Sequence, residues 1–318
     1  MAGSNPQGKG RIIPADALAV AEAAAQLRNG GIVAVPTETV YGLAADASNA
    51  SAVAKIYAAK GRPDFNPLIV HVPDREAAEN IAHFDDVAAV LADRFWPGPL
   101  TLVLPLKAGA KIASAVTAGL PTIALRCPAH PVMRALLLAS DLVVAAPSAN
   151  RSGGISPTTA AHVADSLGDA VPMIMDAGAC RSGLESTIVA VRKAGWQILR
   201  PGPITAAQIQ AVLGTPPLNQ GYDSIEAPGQ LASHYAPTKS VRLNADTATP
   251  DEWHIGFGAI SGDDNLSPSG NLAEAAALLF AALHRADASG RQSIAVAPIA
   301  ADGIGMAIND RLHRAAVR

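Results

Sequence analysis

Eight short, almost unbroken apolar runs recur through the first two hundred positions, and they restrict the fold more than any other feature of the chain. They are IVAVP (32–36), LIVHV (68–72), the run within WPGPLTLVLPL (96–106), TIALR (122–126), LVVAAP (142–147), MIMD (173–176), STIVAV (186–191) and WQILR (196–200). A strand with one wet face alternates apolar and polar residues; these do not, so both of their faces must be covered. Helical segments supply the cover: DALAVAEAAAQLR (16–28), closed by Asn29, Gly30 and Gly31, a helix at about 50–59, DDVAAVLADRF (85–95), HPVMRALLLAS (130–140), and a helix at about 158–167 starting after Pro157. Strands alternating with helices predict a layered, twisted-sheet α/β domain over residues 12–213.

Residues 214–237, GTPPLNQGYDSIEAPGQLASHYAP, contain four prolines and neither period, and read as a linker or extended lid. The pattern resumes with VRLN (241–244), WHIGFGAI (253–260), the alanine-rich helix NLAEAAALLFAALHRAD (271–287), SIAVAP (293–298) and a last helix around MAINDRLHRAA (306–316). This predicts a second, small Rossmann-like α/β domain over 238–318. With 318 residues, 49% of them apolar and 16% charged, the chain suits two domains with a substantial core. A net charge of −3 gives no general attraction to nucleic acid or membrane. The two cysteines, Cys127 and Cys180, form no CxxC pair and read as inert buried thiols. The N-terminus MAGSNPQGKGR has no apolar segment of the export type, so a cytoplasmic protein is expected. No apolar run reaches the ~20 residues that span a bilayer.

Several chemistries are absent. There is no P-loop motif, no G-x-S-x-G elbow and no metal-ligand spacing among the eight histidines; GFGAISG (256–262) and GIGMAIN (303–309) each lack the last glycine of the dinucleotide fingerprint. Polar residues instead gather at strand ends. PTETVYG (36–42) follows a strand, KGRPDFNPL (60–68) precedes the strand carrying His71, Arg126 ends TIALR, and PSANRSGGISPTT (147–159), ESTIV (185–189) and LRPG (199–202) follow. Ligands bind where strand ends and loops meet in such sheets. Lys60, Arg62, Arg126 and Arg200 offer positive charge; Thr37, Thr39, Ser148, Asn150, Ser152, Ser156 and Ser186 offer neutral hydrogen bonds; helix starts after Asn49 and Pro157 offer free N–H groups. That set suits a polyanion bearing hydroxyl, amino and carboxylate groups, such as a nucleoside triphosphate with a small amino acid. Taken singly, each feature also has a structural reading. Lys60-Gly61-Arg62 could be a solvated turn, Thr37 to Thr39 a cap, and His71 a core histidine, while Trp96 to Pro99 reads as a packed turn. The residues alone reach a phosphate-handling α/β enzyme.

The ordered set PTETVYGL, KGRPDFNPLIVHV, WPGPLTLVL, APSANRSGG, ESTIV and ILRPG resembles the YrdC/Sua5 family over essentially the whole first domain. SHYAP and GIGMAINDRLHRAA make the chain resemble the longer, two-domain Sua5 form. The resemblance implies an L-threonylcarbamoyladenylate synthase, a nucleotidyltransferase that turns ATP, L-threonine and bicarbonate or CO2 into threonylcarbamoyl-AMP and pyrophosphate. The product serves t6A modification of tRNA through downstream transfer proteins; a weak direct contact with tRNA is left open. It implies Lys60 and Arg62 as catalytic residues on the triphosphate, with Asn66, Thr122, Ser148, Asn150, Ser156, Arg200, His234 and Tyr235 also on ATP. Thr39, His71, Arg126 and Ser186 would hold threonine, and Mg2+ would come with ATP, held by phosphates rather than by a protein cage. On this view Lys60 and Arg62 lack protein partners because their partner is the substrate. The linker departs from the family in lacking basic residues before HYAP, where Leu231, Ala232 and Ser233 stand. It is still expected to fold over the nucleotide. Arg311, Arg314 and Arg318 read as a solvated helix end. The competing readings are a nucleic-acid-binding module and a carbamoyl-transfer enzyme; the latter's acylphosphatase and zinc-finger segments are absent.

Overall fold

The computed structural model describes residues 10–218, 226–230 and 233–317. In chain order its elements are β1 (Arg11–Pro14), α1 (Ala17–Arg28), β2 (Val33–Val35), β3 (Gly42–Asp46), α2 (Ala50–Lys60), β4 (Ile69–His71), α3 (Arg75–Glu79) and α4 (Asp86–Phe95). Next come β5 (Leu100–Pro105), α5 (Ser114–Thr117), β6 (Thr122–Arg126), α6 (Pro131–Ser140), β7 (Val144–Ala145), α7 (Ala160–Leu167), β8 (Met173–Asp176), β9 (Thr187–Arg192), β10 (Gly195–Arg200) and α8 (Ala206–Leu213). The second region holds β11 (Ser240–Arg242), β12 (Glu252–Gly256), β13 (Asp264–Asn265), α9 (Leu272–Ala288), β14 (Ser293–Val296) and α10 (Gly305–Ala316).

The first ten strands form one mixed sheet in the order β1-β8-β2-β3-β7-β4-β6-β5-β9-β10. The last four form a parallel sheet, β11-β14-β12-β13. Seven of the eight apolar runs form interior strands of the sheet, and Val33 to Val35 and Val70 are fully buried; WQILR instead forms the edge strand β10. Three strands are missed by the sequence reading, β1 and β3 in the large sheet and the two-residue β13 in the small one. GLAAD forms β3 although alanine is a poor strand former, because it lies between β2 and β7 with both faces covered. RIIP forms the edge strand β1.

The helices begin where their caps predict. Asp16 accepts from the Ala19 amide, Asn49 from Ser51 and Ala52, and Asn271 from Ala273 and Glu274. Buried alanines on α1, α2 and α9 let these helices approach the sheets closely. The two regions share apolar packing: Val40, Ile155 and Leu184 join Leu279, Phe280 and Ile308 in one cluster, with Tyr235 between. Among the described residues no helix is long and apolar enough to cross a membrane.

Candidate active site

The cationic side of the site is built by the end of α2. Gly61 caps this helix at φ +58, a conformation that strains any residue with a Cβ, and the chain doubles back so that Lys60 and Arg62 are presented together. Lys60 is 3% exposed and donates to the Ser148 and Asn150 carbonyls, each at 2.5 Å. Arg62 donates to the carbonyls of Asn66 (3.1 Å) and Pro67 (2.8 Å). Arg200, from the end of β10, grips the Ser186 carbonyl through Nε (3.1 Å) and Nη2 (3.0 Å). The expectation that these cations have no protein partners is therefore corrected. Their partners are neutral carbonyls, and among the described residues no carboxylate pairs with Lys60, Arg62 or Arg200. Burial holds the Lys60 ammonium well below its usual pKa, with Arg62 adding to the effect, and pushes Arg62 down to about 10. Positive charge is concentrated here with no directly bonded carboxylate, although Glu185 lines the same cavity and its charge acts on Arg200.

The other side of the cavity surrounds Arg126. Its Nε donates to the Gly98 carbonyl (3.2 Å), Nη1 to Thr39 Oγ1 (2.9 Å) and Nη2 to Glu38 Oε1 (2.6 Å). A guanidinium has five N–H groups, so these bonds leave one on each terminal nitrogen. Glu38 also accepts from the Ala129 and His130 amides. Burial raises the Glu38 carboxyl, but Arg126 outweighs it and holds the group below the usual range. His71, beside Arg126 in register on β4, is 3% exposed, and its Nδ1 has no partner. Burial and then Arg126 hold His71 down to about 3, so it is a neutral imidazole at physiological pH.

The sign of that shift gives a measurable result. Between about pH 6.5 and about 3 the unfolded chain binds protons that His71 and His234, also held down to about 3 by burial, do not bind when folded. Stability should therefore fall as pH drops through this window, by up to about 1.4 kcal/mol per pH unit for each histidine. Denaturant melts of the wild type and of His71→Gln between pH 7 and 4 should differ in slope by one proton; identical slopes would refute the assignment.

The segment after Glu226 crosses the cavity as a strap. Pro228, Gly229, His234 and Tyr235 line it together with Thr39, Arg62, His71, Arg126, Ser148, Ser186 and Arg200, and the space left enclosed is about 50 Å3. Gly229, at φ +88, lies against Arg200, where a Cβ would sit 2.8 Å from Arg200 Cδ and 3.0 Å from the Tyr235 hydroxyl. Buried polar atoms without partners line the cavity at His71 Nδ1, His234 Nδ1 and the Tyr235 hydroxyl, and two further residues outside its lining, Asn66 (both side-chain atoms) and Asn150 (Oδ1), add to them. Each such atom costs about 1–3 kcal/mol unless a ligand satisfies it, so together they mark a binding site.

Other expected residues lie beside the cavity or away from it. Asn150 donates to the Arg151 and Gly154 carbonyls, and Ser156 donates to Glu185. Thr122 is not in the cavity: it starts β6, about 13 Å along the strand from Arg126. Thr122, Ala124 and Arg126 nevertheless share one sheet face. Between Thr122 and the cavity lies an apolar floor of Ile69, Val103, Ala124, Ile188, Ala190 and Leu199, covered by Ala227 of the strap. The helix start after Asn49 also falls elsewhere, following the end of β3 farther from Gly42, and its amides are taken by Asn49. Leu231, Ala232 and Arg318 lie outside the described residues, as do 219–225 of the linker.

Residues 25–202 match the Sua5/YciO/YrdC family profile, described as telomere recombination, and residues 204–317 match the threonylcarbamoyl-AMP synthase C-terminal domain. The chain is 37% identical to the threonylcarbamoyl-AMP synthase of Pyrococcus abyssi over 92% of both proteins. It is 48% identical to that of Bacillus subtilis over 70% of this chain and 66% of the relative. The chain belongs to the Sua5/YciO/YrdC family. A crystal structure of P. abyssi Sua5 complexed with L-threonine superposes with a TM-score of 0.86 at 36% identity, covering 93% of this chain and 94% of that one.

In this member of the Sua5/YciO/YrdC family, three site residues escape the sequence reading. Glu38 and Glu185 stand inside the quoted segments PTETVYG and ESTIV, yet nothing local says that each will face a buried arginine. Arg311 was placed on a solvated helix end; it is instead 0% exposed and ion-paired with Glu185. Cys127 and Cys180 are free and buried, as expected; burial raises both thiols, Cys180 to about 12.

Proposed function

We propose that the protein is an L-threonylcarbamoyladenylate synthase acting on ATP, L-threonine and bicarbonate or CO2. The observation that carries this is one strap-covered cavity with two poles. At one pole, buried cations (Arg62 and Arg200, backed by Lys60) are bonded to neutral carbonyls and to no carboxylate; at the other, Arg126 keeps two N–H groups beside neutral His71. A triphosphate suits the first pole and an amino acid the second. The threonine amine takes up CO2 and loses a proton to give a carbamate. A carbamate oxygen then bonds to the α-phosphorus of ATP as the bond to pyrophosphate breaks, and the electron pair leaves on pyrophosphate. Arg126 and Thr39 orient the amino acid, while Lys60 and Arg62 offset the charge that grows on pyrophosphate. Chemistry of this kind depends on positioning and charge more than on an enzyme nucleophile.

Several finer assignments belong to the same reading. Mg2+ arrives on the phosphates of ATP. The one carboxylate lining the cavity, Glu185, already accepts from Ser156 and Arg311, and no cluster of three or more metal-binding side chains occurs among the described residues. The free space of about 50 Å3 is far smaller than a nucleotide, so on this reading the strap lifts to admit substrates. When Ala227 lifts, the nucleoside lies along the apolar floor, with Thr122 at its far end. We place the enzyme in the cytoplasm, where its labile product passes to the proteins that modify tRNA. Buried cations suit a small phosphate substrate better than a nucleic-acid backbone, which would meet exposed charges.

The deciding assay is pyrophosphate release from ATP with threonine and bicarbonate each present or omitted. Release should require both and yield an AMP adduct carrying threonine plus one carbonyl; release without threonine, or none at all, overturns the reading. Deleting residues 226–237 should abolish this release, and full activity in the shortened protein would show that the strap is dispensable.

A further inference from the structure

Thr37 lines the cavity beside Thr39 without belonging to either charged pole. Both are buried, at 3% and 1% exposed, in the segment that joins β2 to β3. Thr37 Oγ1 makes two short oxygen-to-oxygen contacts, to the Val40 carbonyl at 2.6 Å and to Thr39 Oγ1 at 2.8 Å. Each contact of that length needs a proton between the oxygens. Only two protons are available, one on each hydroxyl, because the carbonyl has none. Thr37 therefore donates to Val40, and Thr39 donates to Thr37; no other assignment satisfies both contacts. Thr37 Oγ1 also faces the Thr39 and Val40 amides at 3.1 and 3.2 Å, so it closes the turn as well.

Arg126 completes the chain of directions. Its Nη1 donates to Thr39 Oγ1 at 2.9 Å and occupies one of the two lone pairs there. With its proton given to Thr37, Thr39 offers the cavity its remaining lone pair and nothing else. A second hydroxyl pair in the same cavity has the opposite sense. Ser186 Oγ lies 2.7 Å from Thr101 Oγ1 and accepts from Arg200 Nη2 at 3.2 Å. Thr101 is fully buried and, among the described residues, has no other acceptor, so it donates to Ser186 and leaves the Ser186 proton for the cavity.

We infer that Thr37 is a positioning residue that fixes the polarity of the amino-acid pole: by taking the Thr39 proton it makes Thr39 an acceptor, which reads an N–H or O–H of the substrate and turns away its carboxylate. The inference rests on the synthase reading for the identity of that amino acid. Threonine carries two such donors, its amine, which still keeps one N–H as a carbamate, and its side-chain hydroxyl. An oxygen of the substrate faces Ser186 instead. Without the Thr37 hydroxyl the Thr39 proton is free, the group presents either polarity, and the substrate donor loses its fixed partner.

The test measures binding by the full chain and needs no turnover. Thr37→Val keeps the shape and removes the hydroxyl; threonine affinity by calorimetry should fall about tenfold or more, while ATP affinity stays within about threefold. Thr37→Ser restores the hydroxyl and should bind threonine within about threefold of wild type. Two analogues, measured by competition with threonine, separate polarity from packing: α-aminobutyrate lacks the hydroxyl and β-hydroxybutyrate lacks the amine. The analogue without the donor that Thr39 reads should bind wild type and Thr37→Val alike, and the other should lose as much affinity as threonine does. Insensitive β-hydroxybutyrate names the amine as that donor; insensitive α-aminobutyrate names the hydroxyl. If Thr37→Val does not fold, Thr37→Cys, a weak donor and weak acceptor, takes its place in the same comparison. Unchanged threonine affinity overturns the inference. So does an equal loss for threonine and both analogues, or a serine variant no better than valine, since either marks a packing role. A wild type that binds threonine but releases no pyrophosphate defeats the synthase reading and leaves the polarity of this pole standing.

Discussion

Arg126→Met should lower threonine affinity by about a hundredfold or more and cost about 3–5 kcal/mol of stability. The two effects share one cause but separate cleanly. Arg126 and Glu38 form a buried pair 2.6 Å apart, and removing the arginine strands a carboxylate that burial alone would push upward. The deficit should therefore shrink as pH falls toward the ordinary carboxyl value of 4.5, because protonated Glu38 no longer needs a counter-ion. Adding Glu38→Gln to Arg126→Met should recover most of the stability and none of the threonine binding. Calorimetry with threonine and denaturant melts on the two variants decide it. Retained threonine affinity in Arg126→Met would remove this residue from the amino-acid site.

Lys60→Met should slow pyrophosphate release by about 10²–10³-fold, roughly 3–4 kcal/mol of transition-state stabilisation, the usual scale for one preorganised charge. Lys60 is expensive to bury. Burial holds its ammonium well below the usual pKa, so the folded chain gives up protons that the unfolded chain keeps, and stability should rise with pH up to the ordinary lysine value of 10.5. Methionine removes that cost while leaving the Ser148 and Asn150 carbonyls without a donor, so the fold should survive. Threonine binding should be unaffected, since Arg126, Thr39 and His71 are untouched. Activity within tenfold of wild type would show that Lys60 is structural.

Much of this architecture is legible in one dimension. The unalternating runs mark the buried strands, with Asn49 and Asn271 capping the helices at the predicted places, and Gly61 marks the turn that presents Lys60 with Arg62. Errors arise where local preference and tertiary context disagree. GLAAD is an alanine-rich strand because of its neighbours, not its composition. Thr122 shares a face of β6 with Arg126 but starts the strand at its other end, outside the cavity.

The sequence by itself determined most of the strands and helices, the split into two α/β regions and the gathering of cations near strand ends. These follow from periodicity and turn chemistry, which act over a few residues. Only the tertiary structure decided which charges are paired with a carboxylate and which are not. Arg311 meets Glu185 across 126 residues and Arg126 meets Glu38 across 88, whereas Lys60, Arg62 and Arg200 meet only neutral partners. A charge is paired by whatever folding brings within a few ångströms of it in a medium that water has left. No local pattern encodes that.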